Sequence, residues 1–156
     1  MMGKYLTENT MRIYELGHVV LYVTDLERSR AFYRDTLGFP EIPSEMRGAA
    51  LFSAGRTHHE MLLIGIGGIP RPKHAPEPGL YHIGLKIGNS DEELRAAKIE
   101  LEAANVIIIG SADHHVTHSL YILDPDGNEL ELYVDISNDW KTDLSMVAQP
   151  TRSLTL

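Results

Sequence analysis

Three segments of the chain alternate apolar and polar positions in the same phase. In Leu16–Val23, Val19, Leu21 and Val23 share one parity, and His18, Val20 and Tyr22 share the other. In Leu80–Ile87, Ile83, Leu85 and Ile87 oppose His82. In Glu129–Asp135, Leu130, Leu132 and Val134 oppose Glu129, Glu131 and Tyr133. Successive side chains of a strand point to opposite faces. Each segment therefore reads as a half-buried strand, with one face for a core and the other carrying a possible metal ligand.

The first two segments belong to a repeat. Leu16-Gly17-His18-Val19-Val20-Leu21-Tyr22-Val23 aligns with Leu80-Tyr81-His82-Ile83-Gly84-Leu85-Lys86-Ile87, and similar punctuation follows each. Thr24-Asp25-Leu26-Glu27 and Ser90-Asp91-Glu92-Glu93 are capping-box patterns, in which a hydroxyl and a carboxylate satisfy the free N–H groups of a helix start. The first helix is expected to reach about Leu37 and stop at Gly38, the second to reach about Ala104 with Asn105 as its cap. The first strand is expected over Tyr14–Val23. Further strand-like runs cover Pro40–Met46, Ala49–Ala54 and His58–Ile66, then Val106–Ile109, Ser119–Leu123 and Glu129–Asp135. Asp124-Pro125-Asp126-Gly127-Asn128 supplies a turn before the last strand.

Each copy is thus β-α-β-β-β, an α+β arrangement. Module one spans 13–67 and module two 80–135, within a single domain over 11–137. The linker, 68–79, is rich in glycine and proline and carries a histidine, His74, expected to face solvent. The polar lead, 1–10, is expected to be disordered. The tail, 138–156, shows no clear period and is expected to pack on the surface or on a partner.

Composition narrows the chemistry. With 156 residues and 43% hydrophobic content, the chain can bury a core. A net charge of −8 argues against a nucleic-acid partner. No cysteine is present, which removes disulfides, thiolate metal sites and cysteine nucleophiles. No apolar run approaches the roughly 20 residues of a membrane span, and no signal-peptide pattern stands at the N-terminus. A cytoplasmic location and no membrane partner are the resulting expectations.

Two imidazoles and one carboxylate suit a divalent first-row metal and leave coordination positions open. Alternation alone is equally met by two hydrogen-bonded core histidines and a solvated Glu131. The paired units, His18, His82 and the segment Asp124-Pro125-Asp126-Gly127-Asn128-Glu129-Leu130-Glu131 resemble the vicinal oxygen chelate superfamily over about Met11 to Asp135. The superfamily includes glyoxalases, extradiol dioxygenases, fosfomycin-resistance enzymes and bleomycin-binding proteins. The resemblance implies two βαβββ modules forming a cupped eight-stranded mixed sheet around a metal, held by His18, His82 and Glu131.

Three further features resemble the extradiol catechol dioxygenases. Arg56-Thr57-His58-His59-Glu60 carries a double histidine, Asp113-His114-His115-Val116-Thr117-His118 a histidine segment, and Tyr121 lies ten residues before Glu131. Adjacent residues of a strand face opposite ways, so only one of His58 and His59 is expected to face the cavity, and His59 is favoured. The resemblance implies Fe(II) as cofactor, with Mn, Ni or Zn as alternatives. It makes His59, His114 and Tyr121 catalytic, with His118, His115 and Glu60 as supporting positions. Whether His114 or His115 faces the site stays open. The implied partners are a small aromatic diol, O2 and a second copy in a homodimer. Well-known extradiol enzymes carry two such domains, and this chain matches the catalytic one in length. Two other functions fit the superfamily: a glyoxalase-like lyase or isomerase with Glu60 as a fourth ligand, and a drug-binding module.

Overall fold

The computed structural model of the chain describes residues 11, 13–70 and 76–156; the lead over 1–10 and His74 lie outside the described residues. Module one runs β1 (Val19–Val23), α1 (Leu26–Ala31), β2 (Glu41–Ile42), β3 (Ala49–Phe52) and β4 (Met61–Gly65). Module two runs β5 (His82–Gly88), α2 (Asp91–Ala103), β6 (Ile108–Asp113), β7 (Thr117–Leu123) and β8 (Glu129–Asp135). Each module is therefore βαβββ, as its punctuation predicts.

The eight expected strands are present as one four-stranded mixed sheet per module, ordered β1-β4-β3-β2 and β5-β8-β7-β6. In each, the strand before the helix lies parallel to the last strand, and the other pairs are antiparallel. The first strand begins at Val19 rather than Tyr14. Tyr14 and Leu16 lie exposed ahead of it, so their apolar character does not reflect burial.

The second capping box forms as expected: Ser90 accepts from the Glu93 N–H, and Glu93 reaches back to the Asn89 N–H at 2.7 Å. The first does not: Asp25, not Thr24, caps α1 by accepting from the Arg28 N–H, the Thr24 hydroxyl donates to Asp126, and Glu27 pairs with Arg30. Helix α1 widens into a π turn over Phe32–Thr36, with the Leu37 N–H on the Phe32 carbonyl, and Gly38 (φ 65) then turns the chain away. This helix lies close against β4. A Cβ added at Gly65 would stand 3.0 Å from the Leu26 Cβ, tighter than packed side chains normally sit.

The inward parity of both sheets makes the core. Leu21, Val23, Phe52, Met61 and Leu63 in module one, and Leu120, Ile122, Leu130, Leu132 and Val134 in module two, are all buried. The modules are pinned to each other at the turn before β8. Tyr33, fully buried on the π turn, donates to Asp124 at 2.9 Å. Asp126 accepts from the Thr24 N–H (3.1 Å), the Thr24 hydroxyl and the Arg28 guanidinium (3.0 Å). Burial, with the Asp124 carboxylate beside it, pushes the Tyr33 phenol well above its ordinary pKa.

The tail packs on its own module. Arg152 pairs antiparallel with Asp113 at the outer edge of β6, the Ser111 hydroxyl donates to the Leu154 carbonyl, and Leu154 and Leu156 rest against the core.

Candidate metal and active site

On the face opposite the core, module two gathers most of the polar residues singled out in the sequence. Register explains how. Tyr121 stands directly across from Glu131, and His82 lies across from Glu129, one diagonal step from Glu131. His82 Nε2 sits 3.1 Å from Glu131 Oε2. Glu131 Oε1 accepts from the fully buried Ser119 hydroxyl at 2.6 Å and from the Tyr121 hydroxyl at 3.4 Å. The Tyr121 hydroxyl also shares a 2.7 Å hydrogen bond with His114 Nε2, and the Thr151 hydroxyl of the tail meets His114 Nδ1 at 3.3 Å. A hydrogen-bonded line therefore runs from Thr151 through His114 and Tyr121 to Glu131 and His82. Burial, followed by the charge of Glu131, pushes the Tyr121 phenol up to about 12. It stays protonated at neutral pH, able to donate and accept.

His114 rather than His115 belongs to this group. His115 takes a positive φ (69°), and its ring turns to the Pro150 carbonyl at 2.9 Å. His118 also departs from the supporting role expected of it. Its parity places it with Leu120 and Ile122, away from Tyr121, and its Nδ1 pairs with Asp91 at the start of α2 (2.6 Å).

The residues of module one form a separate group. His18, His58 and His59 bring their ligand atoms within 4.8 Å of one another, and the His18 and His59 rings lie 4.3 Å apart. The expected division of His58 and His59 between two faces does not hold. Both precede β4 in irregular backbone, and their Nδ1 atoms approach to 2.6 Å. Burial and the neighbouring His18 and His58 rings hold the His59 imidazole below its ordinary pKa, leaving it a neutral proton acceptor at neutral pH.

Glu60 is held by the backbone of the loop before it. Its carboxylate accepts from the N–H groups of Ala54 (2.5 Å) and Arg56 (2.9 Å). Burial opposes its charge, but these two N–H groups, the Ser53 hydroxyl and the Arg56 guanidinium outweigh it and hold the carboxyl below the usual carboxylate range. A carboxylate with a depressed folded pKa contributes stability above its unfolded value, lost as pH falls through the folded one. Glu60→Gln is therefore expected to lower the urea midpoint most at neutral pH. The gap from wild type should close below about pH 4; a gap independent of pH would show that the charge contributes nothing.

The donor set implied for a metal is thus divided within one chain. His82 and Glu131 face each other, whereas His18 keeps company with His58 and His59, and the three implied ligands do not all lie within 4.8 Å of one another. A cleft of about 790 Å³ between the modules is lined by His18, Val19 and Phe39 on one side and Ile83, Leu85 and Leu132 on the other; it includes neither His82 nor Glu131. A single chain in this arrangement does not gather the triad. Sequence reasoning missed two participants, Ser119 and Thr151. The parity of Ser119 with Tyr121 could have revealed the first, and nothing local marks the second.

The model of the Glyoxalase/Bleomycin resistance protein/Dioxygenase superfamily matches residues 15–132. The Catechol-2,3-dioxygenase of Bacillus subtilis is 33% identical over 120 residues, covering 77% of this chain and 41% of that protein. The Biphenyl-2,3-diol 1,2-dioxygenase 2 of Rhodococcus globerulus is 27% identical, covering 78% of this chain and 63% of that protein. The chain thus spans from two fifths to under two thirds of the length of these relatives. Among solved structures, a glyoxalase/dioxygenase from Nostoc punctiforme shares the fold with a TM-score of 0.69 at 21% identity, covering 83% of this chain and 99% of that one. A fosfomycin resistance protein from Listeria monocytogenes does so with a TM-score of 0.65 at 20% identity, covering 85% and 99%.

Proposed function

The chain belongs to the Glyoxalase/Bleomycin resistance protein/Dioxygenase superfamily, and from that premise we propose that it is an Fe(II)-dependent extradiol dioxygenase acting on a catechol-type substrate with O2. The observation that carries this reading is the hydrogen-bonded set His114, Tyr121, Glu131 and His82 on one face of module two, in a chain with catechol dioxygenases among its relatives. The proposed ligands are His18, His82 and Glu131. A metal-free recognition module has no need to hold an imidazole and a carboxylate 3.1 Å apart with a serine and a tyrosine behind them.

The proposed roles of the remaining groups follow from their atoms. Tyr121, protonated and bonded to His114, is placed to hydrogen-bond a phenolic oxygen of a substrate lying over the sheet. His114 Nε2, 2.7 Å from the Tyr121 hydroxyl, takes or returns the proton that the two share. His59, kept neutral beside His18, is the proposed proton acceptor. Because Glu60 is engaged by backbone N–H groups, it is not free to be the fourth ligand that a glyoxalase-like lyase would want.

The reading is tested by reconstituting anaerobically purified protein with Fe(II) and following O2 uptake with catechol and 2,3-dihydroxybiphenyl. Uptake with a yellow ring-fission product is the expected result. Iron-containing protein that consumes no O2 with either diol would rule the reading out. His59→Ala is expected to lower turnover by about 10²–10⁴-fold while leaving metal content unchanged. Undiminished turnover would remove His59 from the acid–base role.

A further inference from the structure

We propose a second cation site, formed within module one by His18, His58 and His59, that takes an imidazole-preferring divalent cation of the Cu(II) class. It borrows His18 from the ligand set proposed above, and only that overlap rests on the extradiol reading. The site itself rests on the arrangement of three imidazoles.

Each of the three residues offers one ring nitrogen, and these nitrogens lie within 4.8 Å of one another. The ring centroids of His58 and His59 are 4.5 Å apart, and those of His18 and His58 5.9 Å. Adjacent residues of a strand would face apart, but His58 and His59 precede β4 and turn to one side. Their Nδ1 atoms stand 2.6 Å apart. Two facing lone pairs repel at that separation, so a positive partner belongs between them: a shared proton in the free protein, a cation in the loaded one.

The backbone holds the cluster together. The Val19 N–H donates to the Glu60 carbonyl at 2.9 Å, which sets the start of β1 against the end of the histidine loop. The Thr57 hydroxyl reaches the Gly17 carbonyl (3.0 Å) and the His59 carbonyl (2.7 Å). The Arg56 guanidinium donates to the Leu16 carbonyl at 2.8 Å. The residues flanking His18 are thus tied to those flanking His58 and His59, and a cation meets three ligands already assembled, with little left to order.

The donor set selects the cation. Three neutral imidazoles bring no negative charge, and the Glu60 carboxylate is engaged by the N–H groups of Ala54 and Arg56. Affinity at such nitrogen sites rises along the first-row divalent ions to Cu(II). Fe(II) and Co(II) stand lower in that order, and three imidazoles without a carboxylate are not expected to retain them through dialysis. A cation seated here engages His18, which then cannot serve His82 and Glu131. The two sites compete for one imidazole.

The test uses the full chain with one equivalent of Cu(II), read by electron paramagnetic resonance and by competition with a chelator of known affinity. Wild type is expected to show coupling to three ring nitrogens. His82→Ala and Glu131→Gln leave the cluster intact and are expected to keep both the spectrum and the affinity. His58→Ala is expected to lose one coupled nitrogen and more than about 100-fold in affinity, since even an outer-shell change costs a metal site about 10–100-fold. His58 is exposed, so this variant is expected to melt with wild type; should it fail to fold, His58→Gln takes its place. A His58 variant that binds Cu(II) like wild type overturns the inference. Cu(II) lost on His82→Ala overturns it too, by placing the ion in module two, and Fe(II) lost on His58→Ala would make the two sites one. Failure of the extradiol reading looks different: the three-nitrogen spectrum stays, and no catechol ring opens.

Discussion

His82→Ala is expected to abolish both metal retention and ring cleavage while leaving the fold standing. The imidazole sits at the first residue of β5, partly exposed, with its Nε2 3.1 Å from Glu131. Loss of an outer-shell partner typically lowers metal affinity by about 10–100-fold, so loss of a direct ligand should exceed the upper end of that range. O2 uptake should fall to background. The apolar side of β5, made by Ile83, Leu85 and Ile87, is untouched, so the thermal midpoint should stay near wild type. Equilibrium dialysis against Fe(II) or Co(II), oxygen-electrode rates and a melting curve on one preparation separate the effects. Ring cleavage that survives in His82→Ala would exclude this histidine from the metal centre. A collapsed melting curve would assign it to the fold.

The second large effect concerns stability. Asp124, 5% exposed, accepts four hydrogen bonds: from the Tyr33 hydroxyl, the N–H groups of Asp126 and Asn128, and the Asn128 side-chain amide, all at 2.8–2.9 Å. Asp124→Ala strands the buried Tyr33 hydroxyl and unties the turn that sets β8 in register. Leaving buried donors unmet costs about 1–3 kcal/mol each, so a loss of about 3 kcal/mol is expected. For a chain of this length that is a fall of about 6–12 °C in Tm. Tyr33→Phe removes only the hydroxyl and is expected to cost about 1 kcal/mol. Urea and thermal unfolding of both variants measure the difference. Equal, small losses would show that this buried carboxylate does not join the modules.

Some of this architecture could be read from residues alone, and the reasons are local. Strand β8 matches its expected limits because Leu130, Leu132 and Val134 alternate strictly with Glu129, Glu131 and Tyr133, and a proline-glycine turn marks its start. Helix α2 ends one residue short of its expected end because Asn105 (φ 56) closes it as its side chain permits. The same reasoning failed at His58 and His59, since alternation applies only to extended backbone and these residues precede the strand. For the tail it reached no further than packing on the surface or on a partner, because Arg152 pairs with β6 through main-chain groups that carry no hydropathy signal. Parity named the face on which His18, His82 and Glu131 each lie. It carries no information on how two modules joined by a glycine- and proline-rich linker are set relative to each other, and on that setting the metal centre depends.

The way the sheet margins are finished bears on how far such molecules can associate. Of the four margins, β2 is two residues long, too short to template another chain, and β6 is capped by the chain's own Arg152. Among the described residues, β1 and β5 remain open. Twofold pairing would use both at once and leave no unsatisfied margin, so association would end in a closed particle and could not propagate into a filament.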